Sequence, residues 1–214
     1  MKSVLIIGCG LLGSSLVRRI SKKKIAKKIF IYEKSKSNIS KIKKLKLPGT
    51  IIKSLKDGVE KSDLIIFCTP MSEYKKLILK INKFILPKTL ITDIGSSKIE
   101  SSKIIKKYLK KGIHWISSHP ITGSEVSGPE YGKQNMFENK WCILIKNKRI
   151  NLKYLKFLNS FWQKVGSKTV IMNSVRHDKI FSMTSHLPHL IAYNLVKSAQ
   201  DFEKILKFNL IKYS

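Results

Sequence analysis

The stretch SVLIIGCGLLG constrains this chain more than any other. Its apolar run reads as a buried strand, and glycines at 8, 10 and 13 then open a helical pattern over 11–20. Each glycine has a reason in that setting. Gly8 permits a tight turn, Gly10 lets backbone approach a pyrophosphate, and Gly13 allows close packing of helix on strand. The helix N-terminus, at Leu11 and Leu12, then faces the phosphate charge. Twenty residues after Gly13, Glu33 ends a second strand signal, KIFIYE. An acid there accepts hydrogen bonds from the adenosine ribose, so the pattern predicts dinucleotide binding. Glu33 favours NAD over NADP because it repels a ribose phosphate. The KSKS that follows, residues 34–37, offers groups able to hold one, so NADP stays open.

Strand and helix signals alternate onward. Strands are expected at 3–8, 28–33, 50–53, 63–70, 89–95, 114–117, 141–146 and 168–172. Helices are expected at 11–20, 37–46, 71–84, 98–110 and 151–165, with a helical turn at 55–61. Such alternation predicts an α/β chain of Rossmann type: a doubly wound, mainly parallel sheet covered on both faces. From Ser174 no strand signal remains. SVRHDKIFSMTSHLPHLIAYNLVKSAQDFEKIL reads as one long apolar helix, bent or interrupted near Pro188. The expected division is a dinucleotide-binding domain over 1–172 and the start of an all-helical second domain over 173–214. In the first, Thr69-Pro70, DIGSSK (93–98) and SHPITGSE (118–125) follow strands. They are expected to converge at the carboxyl edge of the sheet, where such folds bind ligands.

Charge narrows the partners. With 43 basic and 13 acidic residues the chain carries a formal +30, which raises nucleic-acid binding. Yet only four bases are arginines, and the lysines spread through nearly every segment without interleaved aromatics. Specific nucleic-acid recognition is not expected; attraction of anionic small molecules is. Apolar runs are too short to span a bilayer, and the N-terminal leader is too short for a signal peptide, so a cytoplasmic location is expected. Cys9, Cys68 and Cys142 form no CxxC, and neither a disulfide framework nor a zinc site is indicated. Against the basic background, SHPITGSEVSGPE (118–130) contains no lysine. A stray cation there would compete for an anionic ligand and depress the pKa of a working histidine, so this segment is expected to line a ligand site.

GCGLLG, DIGSSK, HPITGSEVSGPE and HDKIFSMTSHLPHLIAYNL, in this order, resemble the prephenate/arogenate dehydrogenase family of tyrosine biosynthesis. The resemblance implies NAD-dependent oxidative decarboxylation of prephenate to 4-hydroxyphenylpyruvate, or of arogenate to tyrosine. It implies His119 as the group that takes the ring hydroxyl proton, with Ser96 bonding both hydroxyl and histidine and Ser97 a lesser substitute. His189 would reach the substrate and His186 would support the site, while Ser124 and Glu125 would organise its mouth. Thr69 and Pro70 would border the cofactor. His186 and His189 lack a convincing third ligand, so no metal is expected. Arg176 and His177 are read as structural. Family members usually continue through several more helices, which dimerise and supply an arginine for a substrate carboxylate. This sequence ends at KFNLIKYS, about where that segment should begin. The expectation is therefore a cofactor domain plus the first helix of a second domain, with a homodimer formed through the helical region. Two alternatives stand beside it: another Rossmann dehydrogenase of the β-hydroxyacid type, and a non-catalytic basic module for dinucleotide or nucleic acid.

Overall fold

The computed structural model describes residues 1–147 and 150–206. The first half builds one sheet from β1 (Ser3–Ile7), β2 (Lys28–Tyr32), β3 (Thr50–Ile51), β4 (Leu64–Phe67), β5 (Leu90–Asp93) and β6 (His114–Trp115). Their order is β3-β2-β1-β4-β5-β6, and every neighbouring pair is parallel. Helices α1 (Leu11–Lys22), α2 (Lys36–Lys44), α3 (Leu55–Glu60), α4 (Tyr74–Ile81) and α5 (Ile99–Tyr108) supply the crossovers. Unbroken apolar runs make this possible, because a parallel strand covered on both faces must bury every side chain. In β1, Val4 and Ile6 enter one core cluster while Leu5 and Ile7 enter the other; β4 divides Leu64 and Ile66 from Ile65 and Phe67 in the same way. The chain order reverses between β1 and β4, and that switch point opens the crevice in which doubly wound folds bind ligands.

The later strands depart from expectation. β8 (Trp141–Ile145) and β9 (Lys168–Met172), with α6 (Leu152–Val165) between them, do not extend the large sheet. They pair parallel to one another in a separate three-stranded sheet, completed by β7 (Ser118–Pro120) antiparallel to β8. β7 lies in the segment read from sequence as a loop. Three residues ending in proline carry too little periodicity to register as a strand, although Ser118 and Pro120 are buried and His119 between them is half-buried.

A buried ion pair joins the two sheets. Lys98 Nζ reaches Asp93 Oδ2 at 2.7 Å and donates to the Ser118 carbonyl at 2.7 Å, and both charged side chains are 0% exposed. The Ser118 hydroxyl bonds the Thr92 hydroxyl at 2.8 Å and accepts from Trp162 Nε1 at 2.9 Å. The end of β5, the start of β7 and the last turn of α6 are thus fastened at one point.

The chain divides into two compact units, Met1–Ser174 and a second from Val175. Helix α7 (Ser174–Phe181) leads into a π-helical turn, Ser182–His186, and then α8 (Leu187–Leu206). The interruption expected near Pro188 therefore falls just before it. Proline removes a backbone donor, and the wider turn ahead of it accommodates the loss. Leu190, Tyr193 and Leu195 are exposed along α8. Among the described residues no helix is long and apolar enough to cross a membrane.

Replacing Lys98 by methionine would strand the Asp93 carboxylate in the interior. The expected loss is about 3–5 kcal/mol of unfolding free energy, read by urea denaturation. A loss below about 1 kcal/mol would show that the pair does not hold the sheets together.

Candidate dinucleotide cleft and active-site edge

A cleft of about 510 Å³ opens at the carboxyl ends of β1, β2 and β4, lined by Gly8, Gly10, Leu11, Glu33, Thr69 and Pro70 among others. Gly8 adopts φ +90° and donates its N–H to the Tyr32 carbonyl at 2.8 Å. A Cβ on Gly13 would fall 2.1 Å from the Gly8 carbonyl oxygen, so only glycine lets α1 lie this close to the turn. At Gly10 an added Cβ would meet nothing within 4 Å. Gly10 also caps α1 without any side-chain acceptor, so the helix N-terminus presents its donors to open space.

Glu33 closes the arrangement. Its Oε2 accepts the Cys9 N–H at 2.8 Å and its Oε1 accepts the Ser35 N–H at 2.9 Å. Each carboxylate oxygen keeps a second lone pair for a ribose hydroxyl. Across the cleft, the Thr69 hydroxyl oxygen is buried and has no hydrogen-bond partner among the described residues. A buried polar atom of this kind calls for a ligand or water. The open cradle at Gly10, the uncapped helix end and the orphaned hydroxyl fit a dinucleotide. Leu12 is placed differently from the other predicted contacts: it packs against the hydrophobic core.

Farther along the sheet edge, the DIGSSK turn is closed by the Asp93–Lys98 pair at its two ends. Asp93 Oδ2 also accepts from the Tyr74 hydroxyl at 3.2 Å and the Gly95 N–H at 3.3 Å, and Oδ1 from Trp115 Nε1 at 3.1 Å. Burial, then the Asp93 charge, pushes the Tyr74 phenol far above its ordinary pKa, so it remains a donor. Ser96 stands exposed in the turn, two residues before Lys98. His119 follows Ser118, the residue whose carbonyl Lys98 holds. One lysine thus ties the predicted serine's turn to the predicted histidine's strand. Ser124 and Glu125 are exposed in the segment after β7.

His189 lies exposed on α8 in the second unit. His186 ends the π-helical turn, and its side chain lies outside the described residues. His177 pairs with Asp178 at 2.7 Å and packs on Phe181. Among the described residues, no group of three or more His, Cys, Asp or Glu is arranged to hold a metal ion. Asp93, Lys98, Ser118 and Trp162 were not singled out from the sequence. The signal for the first two was present: opposite charges five residues apart, flanking a Gly-Ser-Ser turn on an apolar strand.

An open helix terminus at a switch point, with an acid anchored beside it, defines a Rossmann-type dinucleotide-binding protein. The sequence goes further: residues 16–171 match the model of the prephenate dehydrogenase nucleotide-binding domain, and 173–213 that of the prephenate dehydrogenase dimerization domain. The chain belongs to the prephenate dehydrogenase family. It is 28% identical over 213 residues to a cyclohexadienyl dehydrogenase of Zymomonas mobilis, covering 100% of this chain and 72% of that one. A prephenate dehydrogenase of Lactococcus lactis is 32% identical over 209 residues, with 95% of this chain and 56% of that protein covered. The crystal structure of Aquifex aeolicus prephenate dehydrogenase with hydroxyphenyl propionate and NAD+ superposes at a TM-score of 0.90 and 29% identity. That match covers 100% of this chain and 74% of that one.

Two outcomes are expected at the cleft. Gly13→Ala forces its new methyl into the Gly8 carbonyl, and NAD+ affinity measured by calorimetry should fall at least about tenfold. Unaltered affinity would mean that the turn relaxes freely. Burial, then the Glu33 charge, raises the Cys9 thiol to about 12, and burial raises Cys68 and Cys142 well above their ordinary value. A raised pKa favours the neutral thiol, so at pH 8 only about one Cys9 in ten thousand is thiolate. Ellman's reagent should leave the two buried cysteines, Cys9 and Cys142, unlabelled in the native chain and label all three cysteines in guanidinium. Rapid native labelling of Cys9 or Cys142 would refute their burial.

Proposed function

We propose that this chain carries out NAD-dependent oxidative decarboxylation of prephenate or arogenate, yielding 4-hydroxyphenylpyruvate or tyrosine. The observation that carries the proposal is the Lys98 bridge, which fixes the Ser96 turn and the His119 strand at the same sheet edge as the dinucleotide cleft. Proteins named as a cyclohexadienyl dehydrogenase and a prephenate dehydrogenase are similar to the chain along its whole length.

In this mechanism His119 accepts the proton of the ring hydroxyl as the C–H bond on the same carbon breaks. Ser96 bonds the hydroxyl and keeps the imidazole aligned with it. When bound, NAD+ takes up the hydride. The ring carboxylate leaves as carbon dioxide, its bonding pair completing the aromatic ring, and the ring oxygen takes the proton back from His119 to become a phenol. Ser124 and Glu125 border the mouth, and His189 contacts the substrate, with His186 in support. Gly8, Gly10, Gly13 and the α1 terminus at Leu11 hold the pyrophosphate; Thr69 and Pro70 border the cofactor opposite them. Glu33 holds the adenosine ribose and supports NAD over NADP. The helical region pairs with a second copy, a reading supported by the dimerization-domain match and the exposed apolar residues of α8.

The test is reduced nicotinamide formation, followed at 340 nm, with prephenate and then arogenate, each with NAD+ and NADP+. His119→Asn should lower kcat/KM by about 10²–10⁴ while NAD+ affinity stays within about twofold. Full turnover in that variant would overturn the role of His119. Absence of turnover with both substrates in the parent chain would overturn the activity assigned to it.

A further inference from the structure

The cleft stands apart from the chain's overall charge. The protein has 43 basic and 13 acidic residues, yet the charged residues lining the cleft are two lysines, Lys34 and Lys41, and two acids, Glu33 and Glu73. Both lysines are already engaged. Lys34 Nζ lies 2.9 Å from Glu73 Oε2, and Lys41 Nζ is hydrogen-bonded to Glu130 Oε1. In each pair the acid comes from a different element than the lysine. Glu73 ends the 3-10 turn after β4 (Met71–Glu73), and Glu130 sits in the 3-10 turn Pro129–Tyr131 beyond β7.

Glu130 is held in place. The Pro129 carbonyl accepts from Arg18 of α1 at 3.2 Å, and the Lys133 N–H donates to the Ser15 hydroxyl at 2.9 Å. The second Glu130 oxygen is buried, has no hydrogen-bond partner among the described residues, and lies where a Cβ on Gly128 would approach to 2.5 Å. With one oxygen walled in, the carboxylate has Lys41 as its compensating cation. The lysine hydrogen bonds hold both Glu73 and Glu130 below the usual carboxylate range, so both are ionised at neutral pH. Half-exposed pairs of this kind contribute little to fold stability. Their placement matters for what enters the cleft. Lys34, Ser35, Asn38 and Lys41 follow β2, where a phosphate on the adenosine ribose 2′-oxygen would be received, and Asn38 and Lys41 share one face of α2.

We propose that Glu73 and Glu130 are specificity-determining residues: by occupying Lys34 and Lys41 they deny the cleft's cations to a ribose 2′-phosphate and keep it selective for the unphosphorylated dinucleotide. This rests on the reading that the cleft binds a nicotinamide dinucleotide, and it adds a second layer to the exclusion by Glu33. The two acids act at a distance from the ribose, through the lysines they hold.

The experiment is calorimetric titration of NAD+ and NADP+ into the full chain and into Glu73→Gln/Glu130→Gln at low ionic strength. The ratio of NADP+ to NAD+ affinity should rise about five- to twentyfold in the double variant and shrink again as salt is raised. Adding Lys34→Met and Lys41→Met to the same background should abolish the rise. A ratio within about twofold of the parent overturns the proposal. So does a rise that survives removal of the lysines, since the effect would then be general charge. A parent chain that binds neither dinucleotide overturns the underlying reading and the proposal with it, and is distinguished by the parent titration alone.

Discussion

The buried contact between Asp93 and Lys98 is the interaction on which the remaining structure depends. Two full charges withdrawn from water are tolerated only when their remaining donors and acceptors are met. Here a tyrosine, a tryptophan and a backbone amide complete Asp93, and a β7 carbonyl takes up Lys98. That satisfaction has a geometric result. The large parallel sheet and the small mixed sheet share no strand, yet Ser118 of the small one is bonded to Thr92 of the large one and to Lys98 in the turn that follows it. The edge at which chemistry is proposed is thus built from polar bonds in the interior, and its position is fixed by their short range and directionality.

Much of this was legible in the residues, for identifiable reasons. The glycine turn and Glu33 are local in sequence and have few alternative explanations, so the crevice at β1 and β2 follows from them. The fully apolar runs of β1 and β4 read equally well, because burial on both faces leaves no polar residue to confuse the pattern. β7 did not read. It is three residues long, ends in proline, and owes its pairing to β8, more than twenty residues later. The separation of β8 and β9 into their own sheet was also hidden, since their local pattern is that of any strand beside a helix. Glu73 and Glu130 gave no signal because their meaning lies in lysines 39 and 89 positions away.

Charge has two scales in this molecule. Over the whole surface, lysines dominate and create a field that draws in anions of any kind. Within the cleft two carboxylates match two lysines, and in the proposed reading the long-range attraction gives way to short-range discrimination. Attraction and selection are thereby assigned to different groups. The lysine-free segment 118–130 belongs to the second class: its Glu130 reaches back to α2.

Glu33 also limits how readily this fold can change its cofactor. Its carboxylate is a structural clasp, since one oxygen holds the amide of Cys9 inside the glycine turn and the other holds Ser35 at the start of α2. A shorter or neutral residue at position 33 would open room for a phosphate and, in the same step, release the turn that cradles the pyrophosphate. Drift toward the other dinucleotide must therefore pass through a weakened binder of both, unless a second substitution first secures the Cys9 amide. An evolutionary path of that kind is narrow, because two tasks are coupled in one side chain.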